Sequence, residues 1–391
     1  MNTKFYFISA LASMALLSGC SDNELASVET SQKTPIGFHT VGSQMGSRAT
    51  IINQGNITQT DFRVFAFTQK SAEDTSDDIQ FMGDKTNDYG HTGIVIDHKK
   101  GNWDYAKAED LRYWPESTKL NFYAISPASF VDDMITNFVW NIAKDSKTIT
   151  YSSCDEYNKN HDATNYDVMY AVAKDQTKNK NNGKVKFNFK HILSQIVFQA
   201  KTQYEGMQVD IKDIKIHNFK LSGTFTFPAT AEASPALNNW QTPANAPANG
   251  TFFVVKDQTI TVNSAAKPTD ISSKTPLLLV PQELNKPWDT KTTPKTKAQA
   301  DKDFESYLEI NCRIQQKGVY VFGKDGYTTL YVPFSASWEP GKRYIYTLIF
   351  GGGYTDQGVP VLSPINFEAT AEEWAEDANN TNNKNGVITQ Q

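Results

Sequence analysis

A chain of 391 residues is too long for one ordinary core, so two folded domains behind any leader are expected. Its formal charge of −5 is spread along the chain, with no Lys/Arg stripe interleaved with aromatics, which excludes a nucleic-acid partner. The three cysteines, Cys20, Cys154 and Cys312, are too few and too scattered for a disulfide framework or a zinc site.

The N-terminus reads as an export signal: Lys4, an apolar run from Phe5 to Leu17, then Leu17-Ser18-Gly19-Cys20. The apolar run is too short to span a bilayer comfortably, so cleavage fits better than a transmembrane helix. The small residues before Cys20 open the bond to a peptidase, and the thiol can accept a diacylglyceryl group. This arrangement resembles the bacterial lipobox, with residues 1–20 as the signal segment, the cut falling before Cys20 and Cys20 lipidated as a membrane anchor. Ser21-Asp22-Asn23-Glu24 is acidic and suits either a surface-export tag or a solvated linker. Residues 21–34 are polar and read as a tether.

From residue 35 onward apolar residues recur with period two, which predicts half-buried strands. Phe62 to Phe67, Leu120 to Ile125 and Val185 to Phe189 alternate in this way. Val209 and Ile211 share one parity while Ile214 and Ile216 share the other, so a bulge is expected near Lys212-Asp213. Further strands are expected at Thr224 to Phe227, Phe252 to Val255, Leu277 to Val280, Tyr344 to Phe350 and Ile365 to Ala369. In Leu308 to Ile314, alternation puts Cys312 on the face of Leu308, Ile310 and Ile314, as a small core residue. Helix is expected only briefly, near Ala106 to Leu111 and Glu156 to Asn160. The polar run from Lys174 to Gly183 suggests a boundary, giving an N-terminal sandwich at 35–183, a C-terminal one at 184–375 and a polar tail at 376–391. Excursions at 229–249 and 289–301 read as surface loops. The class is all-β.

No constellation for catalysis stands out. The six histidines show no zinc-hydrolase spacing, and Gly351-Gly352-Gly353 lacks the Lys-Ser/Thr of a phosphate loop. Asp132-Asp133 and Glu372-Glu373 are adjacent pairs whose members would point to opposite strand faces. The acidic run Asp74 to Asp78 lacks the glycine and terminal glutamate of an EF-hand loop. No metal, cofactor or enzymatic activity is expected.

Several motifs in order resemble the fimbrillin-like family, lipoprotein precursors of surface pili: Asp61 to Phe67, Tyr113-Trp114-Pro115, Leu120 to Pro127, Asp167 to Ala171, Phe189 to Gln195, Leu278 to Gln282, Trp338 to Tyr346, and Ile365-Asn366-Phe367 with Trp374. The resemblance implies two tandem transthyretin-like Greek-key β-sandwich domains and a non-enzymatic subunit of a surface fimbrium. It implies that the lipid on Cys20 holds the precursor at the outer membrane. An Arg-specific protease would then cut between Arg48 and Ala49, and the displaced first strand, carrying Ile36 and Phe38, would leave a groove for donor-strand exchange with other pilus subunits. Beyond Trp374 the tail offers only adjacent Val387 and Ile388 as large apolar residues, a poor plug, which suits a tip or terminal subunit with an adhesive role or else leaves Pro360 to Ala369, released from its own sheet, as the donor. A second reading keeps the lipoprotein on the surface, binding a host glycan or protein through loops around Trp240 and Trp288.

Overall fold

The computed structural model describes residues 33–40, 61–86, 91–99, 101–128, 138–153, 167–231, 233–242, 248, 250–272, 277–292, 294–362, 366–373 and 386–388. Period-two alternation is realised as β-sheet almost throughout, and the fold is all-β.

The first sheet runs, in spatial order, through Lys184–Phe187, Gly37–Thr40, Asn102–Tyr105, Ile94–Lys99, Phe62–Gln69, Leu120–Ser126, Met169–Gln176 and Lys190–His191. Asp77–Met82 adds a further pairing along Phe62–Gln69. Its middle strands are apolar on both faces. Phe62, Val64 and Ala66 join a cluster with Ile36, Phe38, Val185, Phe187 and Met169, residues drawn from both flanks, so the sheet curls around its own core. The opposite parity, Phe65 and Phe67 with Tyr123 and Tyr170, faces a second cluster containing Tyr151, Phe225 and Trp240.

That second face is capped by a four-stranded sheet of Phe138–Ala143, Ser146–Ser152, Ser222–Thr226 and Trp240–Gln241. Ser146–Ser152 and Ser222–Thr226 pair antiparallel from Ser152↔Ser222 to Thr148↔Thr226, although some 70 residues separate them in sequence. The cap therefore mixes strands from both halves of the chain. The C-terminal half builds a sandwich of a six-stranded and an eight-stranded sheet. In one, Ser194–Thr202 runs parallel to Lys342–Phe350; in the other, Met207–Phe219 pairs antiparallel with Tyr307–Gln316. Ile196, Phe198, Tyr346 and Leu348 meet Val209, Ile216, Leu308 and Cys312 between the layers.

The expected bulge is present. Register slips between Ile211 and Asp213, and the slip lets Ile211 and Ile214 both reach the core. Leu308, Ile310, Cys312 and Ile314 share one buried face, as their alternation requires.

Gly183 has a different role from the one its polar surroundings suggested. Asn182 and Gly183 have positive φ of 56° and 76°, making a tight turn that delivers Lys184–Phe187 into the first sheet beside Gly37–Thr40. The Trp114 indole N–H donates to the Gly183 carbonyl at 2.8 Å and fixes the turn from below. A cut at 183 thus falls inside the first sheet, and Thr34–Gln391 clusters as one compact unit. The loop expected at 289–301 also departs from expectation: it contains a short helix, Lys297–Lys302, started by a reciprocal capping box between Thr296 and Gln299. The helix expected at Glu156 to Asn160 lies outside the described residues.

Candidate assembly site

The segment from Pro35 to Thr40 is held by backbone and side chain together. Gly37–Thr40 pairs in parallel with Lys184–Phe187 and meets Asn102–Tyr105 at Phe38↔Trp103. Upstream, Ile36 N–H donates to the Arg112 carbonyl at 2.8 Å, and Trp114 N–H donates to the Thr34 carbonyl at 2.9 Å. The parallel neighbours approach closely at Gly37, where an added Cβ would meet Lys184 Cγ at 3.1 Å. A larger residue there would require the exposed Lys184 side chain to shift by a few tenths of an ångström.

Alternation turns Ile36 and Phe38 inward, and both are buried. The Phe38 ring lies edge-on to Phe62 and Tyr105 and stacks on Phe187 at 6.1 Å. The Tyr105 hydroxyl donates to the Ile36 carbonyl at 3.1 Å, and burial pushes its pKa well above the ordinary value. Trp103 Nε1–H donates to Thr40 Oγ1 at 3.1 Å. Two large apolar side chains thus fill the described slot, worth about 3–6 kcal/mol at roughly 1.5–3 kcal/mol each. Among the described strands, Lys184–Phe187 has no ladder partner other than Gly37–Thr40.

At the other end, Gly386–Ile388 pairs antiparallel with Ala369–Ala371 and adds an edge strand to the six-stranded sheet. Cys20, Arg48, Ala49, Cys154, Asp132-Asp133 and Trp374 lie outside the described residues.

The two tryptophans named as ligand contacts are core residues. Trp240 is 7 % exposed, stacks near Phe225 and donates its indole N–H to the Ile192 carbonyl at 2.8 Å. Trp288 is 2 % exposed, packs against Tyr307 and Tyr331, and donates to the Lys295 carbonyl at 3.0 Å. Each has its one polar atom satisfied by backbone; Trp288 is closed off, while the small part of Trp240 left accessible lines a cleft with Leu237 and Leu284.

The ionisable groups are tied into structure. His191 Nδ1 sits 2.9 Å from Asp167 Oδ1 in the interior. Glu309 lies between Lys215, at 2.8 Å, and His217, at 2.9 Å; burial would raise its pKa, yet these partners pull it down to about 2. Burial pushes the Cys312 thiol far up, which makes it inert as a nucleophile. In the acidic run, Asp74 bonds Ser76, while Asp77 pairs with Lys147 at 2.8 Å. Among the described residues no group of three His, Cys, Asp or Glu side chains is placed to hold a metal ion.

The chain is similar to fimbrium subunit Fim1C of Phocaeicola vulgatus, with 28 % identity over 187 residues, or 46 % of this chain and 47 % of that protein. The match thus spans about half the length of that curated relative. The fold is similar to the crystal structure of a fimbrial protein from Bacteroides vulgatus, at a TM-score of 0.55 and 17 % identity over 87 % of this chain and 99 % of that one. The crystal structure of a second protein, from Bacteroides ovatus, aligns over 88 % of this chain and 98 % of its own, at 14 % identity and a TM-score of 0.42. The sequence pattern of the fimbrillin-like family matches residues 47–374, and the chain belongs to that non-enzymatic family.

Proposed function

We propose that the protein is a structural subunit of a cell-surface fimbrium, exported as a lipoprotein, matured by cleavage between Arg48 and Ala49, and assembled by strand exchange with other pilus subunits. The observation that carries the reading is the first strand. It is the sole described ladder partner of Lys184–Phe187, it is anchored by only two large apolar side chains, and it lies upstream of Arg48. Cleavage there would free that strand together with the tether and the lipid on Cys20. Its loss would leave the backbone of Lys184–Phe187 and the Phe62–Phe187 pocket open, and a strand from another subunit would restore both the ladder and the apolar contacts.

On this reading the two halves are tandem transthyretin-like sandwiches sharing the mixed capping sheet. The tail strand Gly386–Ile388 already pairs with its own sheet, which supports a subunit that accepts a strand without giving one, as a tip or terminal position requires. The precursor is delivered to the outer membrane by its lipid and released from it on maturation.

Treatment of the purified precursor with an Arg-specific protease tests the proposal. The expected result is a cut after Arg48 followed by association into higher oligomers, with Arg48→Ala resisting both. No cut at that bond, or a cut without any gain in association, would sink the reading.

A further inference from the structure

A cleft of about 460 Å³ opens between the end of Met207–Phe219, the strand Trp240–Gln241, the segment 281–286 and the segment 303–306. Pockets for small ligands begin at roughly 300 Å³. Its apolar lining is Leu237, Trp240, Pro281 and Leu284. Polar groups of both signs surround these: Thr242, Glu283, Asn285 and Lys286. Leu284 is buried while Glu283 and Asn285 are exposed, the alternation expected of an extended segment that covers core on one side.

Phe304 also lines this cleft, 42 % exposed, with a positive φ of 55°. It follows the helix Lys297–Lys302 and its C-cap Asp303, at the place where glycine usually ends a helix because L side chains are strained in the left-handed region. Asn218, lining the same cleft, has a φ of 61°, but asparagine tolerates this backbone and phenylalanine does not. The residues flanking Phe304 are held firmly. Lys295 Nζ pairs with Asp303 Oδ2 at 2.7 Å and also with Glu305, Lys286 Nζ donates to the Asp303 carbonyl at 2.6 Å, and Glu305 N–H donates to the Ala300 carbonyl at 2.8 Å. A large ring is thereby fixed, half in water, where a glycine would close the loop with less strain. A bulky ring kept in this backbone at an exposed position beside a cleft is a reason to look for a ligand there.

We propose that this cleft binds a neutral mono- or disaccharide, with Phe304 as the platform for an apolar sugar face. The acidic and basic groups at the rim balance, so the cleft offers donors and acceptors for hydroxyls without a net field for an anion. The apolar lining takes the ring carbons, as an aromatic and aliphatic floor does for any amphipathic ligand. Neither Arg48 cleavage nor polymerisation is needed, so the site and the assembly reading stand or fall separately.

The test uses the purified, uncleaved chain on a printed array of neutral and sialylated oligosaccharides, followed by calorimetric titration with the neutral glycan retained. Phe304→Gly is expected to weaken binding at least tenfold while holding or raising Tm, because it relieves the left-handed strain. The combined Glu283→Gln and Asn285→Ala change is expected to weaken binding similarly with Tm unchanged. An array that retains no neutral glycan, retention of sialylated glycans alone, or Phe304→Gly binding as tightly as the parent would each overturn the proposal.

Discussion

Phe38 shows how much of the first strand's hold rests on one side chain. Its ring touches Phe62, Tyr105 and Phe187, so Phe38→Ala should remove about 3–5 kcal/mol of packing. Because the strand lies near one end of the described chain, the loss is expected as local opening. Amide exchange in Lys184–Phe187 should speed at least about a hundredfold, while amides of the C-terminal core stay unchanged; equal acceleration in both regions would contradict local docking. Glu309 carries a pH signature of a different kind. Its carboxyl titrates at about 2 in the fold against an ordinary value of 4.5, so its contribution is complete above pH 4.5 and is lost as pH falls toward 2. The linked stability is on the order of 3 kcal/mol. Glu309→Gln should flatten the urea-denaturation midpoint between those pH values, and an unchanged slope would show that the carboxylate is not the linked group.

Among the elements, Asp77–Met82 is tied to its neighbours by charge as well as by backbone. Asp77 is buried at the start of this strand, accepts from Asn121 Nδ2 and Tyr123 Oη of the first sheet at 2.8 Å each, and pairs with Lys147 of the capping sheet at 2.8 Å. Burial works against its charge, but Lys147, Asn121 and Tyr123 outweigh it and hold its pKa below the ordinary value. Asp77→Ala leaves Lys147 without its buried partner and should cost about 3–5 kcal/mol, read as a lowered denaturation midpoint at neutral pH. An effect under about 1 kcal/mol would mean that the pair is effectively solvated. Strand placement was legible from alternation wherever one face is buried, because such a strand repeats with period two, whereas Phe62–Gln69 and Leu120–Ser126, buried on both faces, stand out as near-continuous apolar runs. The bulge at Ile211 to Asp213 was readable for the same reason, as a break in parity. The helix at Lys297–Lys302 was hidden by its Lys/Thr-rich surroundings, although Thr296 and Gln299 stood at capping-box spacing. Trp240 and Trp288 are more buried than their loop setting suggested, because a tryptophan between strands looks exposed until its N–H finds a carbonyl, and Ile192 and Lys295 supply those from far or folded-back chain. Phe304 gave no signal, since its distinction is a backbone angle.

For the molecule as a whole, pairing across the chain matters more than the position of polar runs. The first sheet draws Lys184–Phe187 and Lys190–His191 from beyond Gly183, and the capping sheet joins residues 146–152 to 222–226. A fragment of residues 34–183 therefore lacks the partner of its first strand and half of the sheet that covers Phe65, Phe67 and Tyr123. Expressed alone it should show no cooperative thermal transition, whereas the chain from residue 34 to 391 should; a sharp transition in the fragment would restore the division at Gly183. Parallel pairing of distant segments is the part of the fold that local pattern does not encode, because alternation specifies a face and leaves the neighbour open.

The same capping sheet has a mechanical consequence. Thr148 stands opposite Thr226 and Ser152 opposite Ser222, so the chain entering Ser146–Ser152 and the chain leaving Ser222–Thr226 depart from the same end of the ladder. A pull on those two segments therefore opens the hydrogen bonds in turn, from the Thr148–Thr226 end inward, and does not shear them all at once. Tyr151 and Phe225, buried beneath that ladder with Phe67 and Tyr170, are drawn out one after the other. The seam between the halves thus behaves as a zip, giving way in steps and spreading an applied load over a longer extension.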